Sequence, residues 1–112
     1  MNVFNVRYID QLSQWIALQG FDFVYWNMMH DAWYFSIATL SDSAKAGITQ
    51  HLRSADVPPQ YREEFDRITD FMNTGASTDG FILRMKIADL DRKRNQNLRT
   101  VEPELADLIN YQ

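Results

Sequence analysis

The chain has 112 residues, 46% apolar and 23% charged, the balance of an ordinary globular protein with room for one domain. Fifteen acidic residues against eleven basic ones give a net charge of −4, which disfavours general binding to nucleic acid or anionic membranes. No cysteine is present, which excludes disulfides, thiolate zinc sites, cysteine-ligated iron–sulfur clusters and a cysteine nucleophile within this chain.

The spacing predicts a first helix over residues 5–19. Ile9, Leu12, Trp15 (or Ile16) and Gln19 recur at helical intervals, with Tyr8 on the same side. Asn5 can cap its start and Gly20 can supply the left-handed residue that ends it. Over residues 21–26, Phe21, Phe23 and Tyr25 alternate with Asp22, Val24 and Trp26, which predicts a strand buried on both faces. Residues 27–31 read as a turn or a short helical turn, and Trp33, Tyr34, Phe35, Ser36 and Ile37 as a second short extended segment.

Ser41 or Ser43 can cap the next helix, whose inner face is Ala44, Ile48, Leu52 and Ala55. Gly47 on that side is expected to permit a close helix crossing. Val57, Pro58 and Pro59 end this helix and open another, with Tyr61, Phe65, Ile68 and Met72 on its inner face and residues 73–75 closing it. Ser77 or Thr78 can cap a helix over residues 79–94. Its two apolar rows, Phe81, Met85 and Ala88 beside Leu83, Ile87 and Leu90, predict a central, widely buried element. Arg92, Lys93 and Arg94 suit the negative end of its dipole. After a polar break at residues 95–97, Glu102, Pro103 and Glu104 begin a short last helix with Leu105, Leu108 and Ile109 inward.

The predicted fold is mainly α: a single small domain over residues 1–112, with four to five helices and one or two short strands near residues 21–37. A lone strand leaves its backbone groups unpaired, so it needs the second extended segment, another copy of the chain or another protein beside it. No targeting signal is expected, since the N-terminus lacks a basic start followed by an apolar run. The longest apolar-rich stretch, residues 21–26, falls far short of the ~20 residues of a membrane span.

Few residue patterns point to chemistry. His30, Asp31 and His51 could be drawn together as metal ligands, but no paired-histidine spacing supports it, and a turn histidine beside a capping aspartate is the simpler reading. Asp89 and Asp91, or Glu63 and Glu64, stand too close in sequence to face each other on a helix. Ser36, Ser41 and Ser43 read as caps rather than nucleophiles. No glycine-rich phosphate loop is present. No catalytic residue, metal or cofactor is therefore expected.

Two stretches remain. Residues 84–99 carry six basic residues against two acidic ones, a local excess of +4, so Arg92, Lys93, Arg94 and Arg99 are candidate contacts to an anionic partner. A solvated helix end paired with Glu102, Glu104 and Asp107 is the favoured alternative, because the whole chain is acidic. Phe21, Phe23, Tyr25, Trp26, Trp33, Tyr34 and Phe35 form an aromatic cluster within fifteen positions. It reads first as core and second as a contact surface, since Trp and Tyr anchor interfaces.

The run Tyr25-Trp26-Asn27-Met28-Met29-His30-Asp31-Ala32-Trp33-Tyr34-Phe35-Ser36-Ile37, followed by a lysine-bearing helix, resembles a stretch of phage-encoded radical SAM proteins with a twitch domain. In those proteins a strand, His-Asp-Pro and a Tyr-(Leu/Phe)-Ser-Ile run precede helices. Leu90-Asp91-Arg92-Lys93-Arg94-Asn95-Gln96-Asn97-Leu98 and Val101-Glu102-Pro103-Glu104-Leu105 are similar to their closing LDxxRNxNxxxxxPEL. The resemblance covers most of this chain but only the C-terminal part of theirs. Ala32 stands where proline is expected, and none of the cluster-binding cysteines has a counterpart. The resemblance implies a C-terminal module without the parent activity, located in a host-cell cytoplasm or in a virion and not secreted.

The expected function is a non-enzymatic protein-binding or regulatory module of phage origin. It would dock on a host or phage protein, or on a second copy of itself, through Tyr25, Trp26, Trp33, Tyr34 and Phe35. The alternatives are an accessory subunit of a split radical SAM enzyme and a nucleic-acid contact through residues 84–99, the latter disfavoured by charge.

Overall fold

A computed structural model of the chain describes residues 1–29 and 32–112. His30 and Asp31 lie outside the described residues. With them go two of the three candidate metal ligands and part of the turn expected over residues 27–31.

Among the described residues six α-helices form: α1 (Ile9–Gln19), α2 (Asp42–Ser54), α3 (Arg62–Thr74), α4 (Phe81–Arg94), α5 (Leu98–Val101) and α6 (Pro103–Leu108). Among the described residues there is no strand. None of the described helices is long and apolar enough to cross a membrane.

A 3₁₀ turn, Val6–Tyr8, feeds α1. Asn5 does not cap it; its Oδ1 accepts instead from Asn2 N at 2.9 Å. Gly20 ends α1 with φ +69°, the left-handed conformation expected of it. The inward side of α1 is Ile9, Asp10 and Ser13, and the predicted inner residues Leu12 and Trp15 face out.

The strand over residues 21–26 does not form. Among the described residues, these six make no backbone–backbone hydrogen bond, so no neighbouring chain segment supplies the partner a strand requires. Nor do the side chains alternate between two packed faces. Trp26 enters the core, with its ring 5.6 Å from Tyr61 and 5.3 Å from Phe65, both edge-on. Phe21, Phe23 and Tyr25 are exposed. Just beyond, Met29 N donates to Met1 O at 2.8 Å, and the Met1 ammonium donates to Asn27 O, so the N-terminus anchors the end of the segment.

The second extended segment is also absent. Trp33–Phe35 is a 3₁₀ turn closed by Phe35 N donating to Ala32 O at 2.8 Å and Ser36 N to Trp33 O at 3.0 Å. Ala32 adopts φ +52° to enter it. A second 3₁₀ turn, Ile37–Thr39, follows, and Ser36 Oγ accepts from Ala38 N. Local hydrogen bonds therefore satisfy a backbone that has no sheet to join.

Ser41 caps α2 by accepting from Ala44 N at 3.3 Å, and Ala44, Ile48 and Leu52 point inward as predicted. Gly47 makes no close crossing: a Cβ there would meet nothing within 4 Å. The close approach is at Gly75, after α3, where a Cβ would lie 2.4 Å from Ala38 Cβ. Phe65, Ile68, Thr69 and Met72 are the buried face of α3. Buried Lys45 on α2 donates its Nζ to Gly75 O at 3.0 Å, placing a cation at the negative end of the α3 dipole. Burial disfavours that charge and lowers the Lys45 pKa, partly offset by Asp42.

Helix α4 is less central than predicted. Leu83 and Ile87 are buried, whereas Phe81, Met85 and Ala88 face out. At its start Thr78 Oγ1 accepts from Gly80 N at 3.1 Å and Asp79 Oδ1 from Phe81 N at 2.9 Å, so Thr78 holds the turn into the helix, whereas Ser77 Oγ donates to Asp42 instead. Asn95, at φ +52°, ends it, and Gln96 N returns to Asp91 O at 2.9 Å. Asn97 then caps α5 by accepting from Arg99 N. Leu98, Leu105, Ala106, Ile109 and Tyr111 bring the C-terminal helices into the same core as Val3, Val6 and Ile37.

Candidate functional site

The outward side of α1 and the chain leaving it form one aromatic and aliphatic surface. Leu12, Trp15 and Leu18 project from the helix, followed by Phe21, Phe23 and Tyr25. Leu18, Phe23 and Tyr25 are 83%, 77% and 78% exposed. Trp15 and Phe21 rings sit 6.3 Å apart, and Phe23 stacks on Tyr25 at 5.7 Å. Beside them runs a groove of 410 Å³, lined by Leu12, Ile16, Val24, Tyr25 and Trp26 among others. Single exposed apolar residues are ordinary; a group of this size is less so, which makes this surface the candidate site.

The residues expected at a partner face are therefore divided. Tyr25 and Trp33 are exposed, Tyr34 and Phe35 are half-buried, and Trp26 is core. Tyr34 and Phe35 pack edge-on at 4.7 Å, Phe35 meets Phe4 at 5.3 Å, and Lys86 Nζ lies 5.2 Å from the Tyr34 ring centre. Leu12, Trp15, Leu18, Phe21 and Phe23 join the surface although their periodicity had placed several of them inside. A signal for this was Ser13: a small side chain on the opposite side of α1, fully buried, with Oγ donating to Asp10 O at 2.6 Å.

The candidate cationic contacts are largely engaged within the chain. Arg92 and Lys93 both pair with Asp89. The bond from Lys93, ahead of the charges of Lys93, Arg92 and Lys86, holds the Asp89 carboxyl below its usual range. Arg99 donates to Tyr111 O through Nε at 3.1 Å and Nη2 at 2.7 Å, and to Asp107 at 2.8 Å. It latches the C-terminus. Among the described residues, Arg94 has no ion-pair partner.

A cleft of 340 Å³ lies on another side of α1, with Arg7, Tyr8, Gln11, His51 and Glu104 around an apolar floor that includes Ile48 and Leu108. Arg7 pairs with Glu104, Tyr8 donates to Glu102 at 2.8 Å, and His51 Nε2 stands 3.3 Å from Asp10 Oδ2. The Glu102 bond raises the Tyr8 pKa. Serines 36 and 41 serve as caps, as predicted. Asp89 and Asp91 face different partners: Asp91 Oδ2 accepts from Tyr111 Oη at 2.7 Å and from Leu98 N at 2.9 Å. Among the described residues, no group of three or more acidic or histidine side chains could hold a metal ion.

No protein-family model matches the chain, and neither curated proteins nor solved structures give a match.

Proposed function

We propose that this protein is a small helical binding module that docks a protein partner through the surface of α1 and residues 21–25. The observation that carries this reading is the contiguous group Leu12, Trp15, Leu18, Phe21, Phe23 and Tyr25, all exposed. Trp and Tyr give large contact area at low conformational cost, and such residues dominate binding energy at interface centres. The adjacent groove offers an apolar slot for a partner side chain. In this reading the chain acts by binding, and the polar residues beside α1 hold its helices together.

Site-specific photo-crosslinking tests the assignment. A photoreactive residue at position 15 or 23 should give one discrete protein adduct in cells that make the protein, and the same residue at exposed Glu63 on α3 should not. Equal adducts from all three positions, or none from 15 and 23, would refute the docking surface.

A further inference from the structure

The outer side of α1 carries no formal charge. Its exposed residues are Gln11, Leu12, Gln14, Trp15, Leu18 and Gln19. The one acidic group of the helix, Asp10, is buried on the inward side, with Oδ2 3.3 Å from His51 Nε2. A solvated helix face ordinarily carries charged side chains. The chain that leaves the helix continues this pattern: Asp22 is the one charged residue in residues 20–26.

Apolar groups and primary amides are self-complementary, whereas carboxylates and ammonium groups are not. Leucines and aromatic rings pack on their own kind, and an amide both donates and accepts. Such a surface can meet a copy of itself across a twofold axis, where both sides of the contact are the same patch. A face of one charge sign would repel its copy there. The area is also that of an interface. The chain exposes 7123 Å², against ~6,400 Å² for a compact monomer of 13.2 kDa. The excess, roughly 700 Å², is close to the ~800 Å² each partner gives to a standard interface. The four aromatic side chains of the face, 55–78% exposed, leave roughly 500 Å² open at ~200 Å² each, and Leu12 and Leu18 add to it.

We infer that the occupant of the α1 surface is the same surface of a second copy of this chain, related by a twofold axis. The inference rests on the docking reading above and names the partner. Because one patch serves both copies, the assembly closes at a dimer. Dilution separates the pair and reopens the face.

Sedimentation of the full chain tests this with one variant, Leu12→Glu/Leu18→Glu. Both positions are exposed, and circular dichroism checks that the variant folds. The wild type should pass from monomer to dimer as its concentration rises, and stop at the dimer. The variant should stay monomeric, because the twofold axis brings the glutamates of two copies into one contact. Labelled variant mixed with wild type should pair with it more weakly than the wild type pairs with itself, since both copies must supply the face. A wild type still monomeric at ~1 mM overturns the inference; the docking reading then rests on the crosslinks at positions 15 and 23. Growth beyond a dimer, or a variant that pairs with the wild type as strongly as the wild type does, means two different faces meet and also overturns it. A variant that dimerises alone as strongly as the wild type overturns it and counts against the α1 surface as well.

Discussion

The same substitution at two glycines should change stability in opposite directions. Gly75 has φ −76° and ψ 160°, a conformation open to alanine, so backbone preference alone favours Gly75→Ala by ~0.4–1 kcal/mol through the unfolded chain. Space decides otherwise. The added Cβ would lie 2.4 Å from Ala38 Cβ, 3.0 Å from Ala38 O and 3.2 Å from Ala38 Cα, with no flexible side-chain end to yield. Both sides of the contact are tethered. Gly75 O holds Lys45 Nζ at 3.0 Å, and next to Ala38, Thr39 O accepts from Thr78 N at 3.1 Å. Overpacking of this kind costs ~1–3 kcal/mol, which outweighs the backbone gain and leaves a net loss of roughly 1–2 kcal/mol. At roughly 4 °C per kcal/mol for a domain of this length, Tm should fall by about 4–8 °C. Gly47→Ala, inside α2 with nothing within 4 Å of the new Cβ, should gain ~1 kcal/mol and raise Tm by about 4 °C. Adding Ala38→Gly to Gly75→Ala removes the nearest atom and should recover part of the loss. Thermal melts by circular dichroism, with urea titrations for the free energies, measure all three. A Gly75→Ala variant as stable as the wild type would refute the packing described here.

The remaining predictions concern the aromatic residues and the C-terminal latch. Burial, then the hydrogen bond to Asp91 and its charge, pushes the Tyr111 phenol from 10.0 up to about 12. The folded state therefore keeps this proton after the unfolded chain has lost it. The resulting stabilisation is full below pH 10 and is lost as pH rises from 10 to about 12. Tyr111→Phe should flatten that alkaline decline in urea titrations, and an unchanged slope would refute the assignment. Asp91→Ala leaves Leu98 N and Tyr111 Oη without their acceptor and should cost ~1–3 kcal/mol, read as a lower urea midpoint. Trp26→Ala should cost ~3–5 kcal/mol, whereas Trp15→Glu should stay within ~0.5 kcal/mol of wild type. In the folded protein a neutral quencher should reach Trp15 and Trp33 fluorescence but not that of Trp26.

What could be read in the sequence was what short-range chemistry controls. Ser41 as a cap, Gly20 in the left-handed conformation, the cationic end of α4 and the inner faces of α2 and α3 all follow from interactions within a turn or two. Of the candidate face, Tyr25 and Trp33 were identifiable as aromatic anchors, but nothing local separated them from Trp26. Tertiary packing separated them: the Trp26 ring found Tyr61 and Phe65, residues distant in sequence. Packing also chose between two rows on α1, turning small Ser13 inward and leaving Leu12 and Trp15 open. Periodicity measures how apolar a row is; it carries no information on which neighbour arrives to cover it. The strand failed for the same reason. Alternating aromatics at residues 21–26 favour an extended chain, but a strand exists only where another segment offers its backbone. Here the nearest pairing comes from Met1, to Asn27 and Met29.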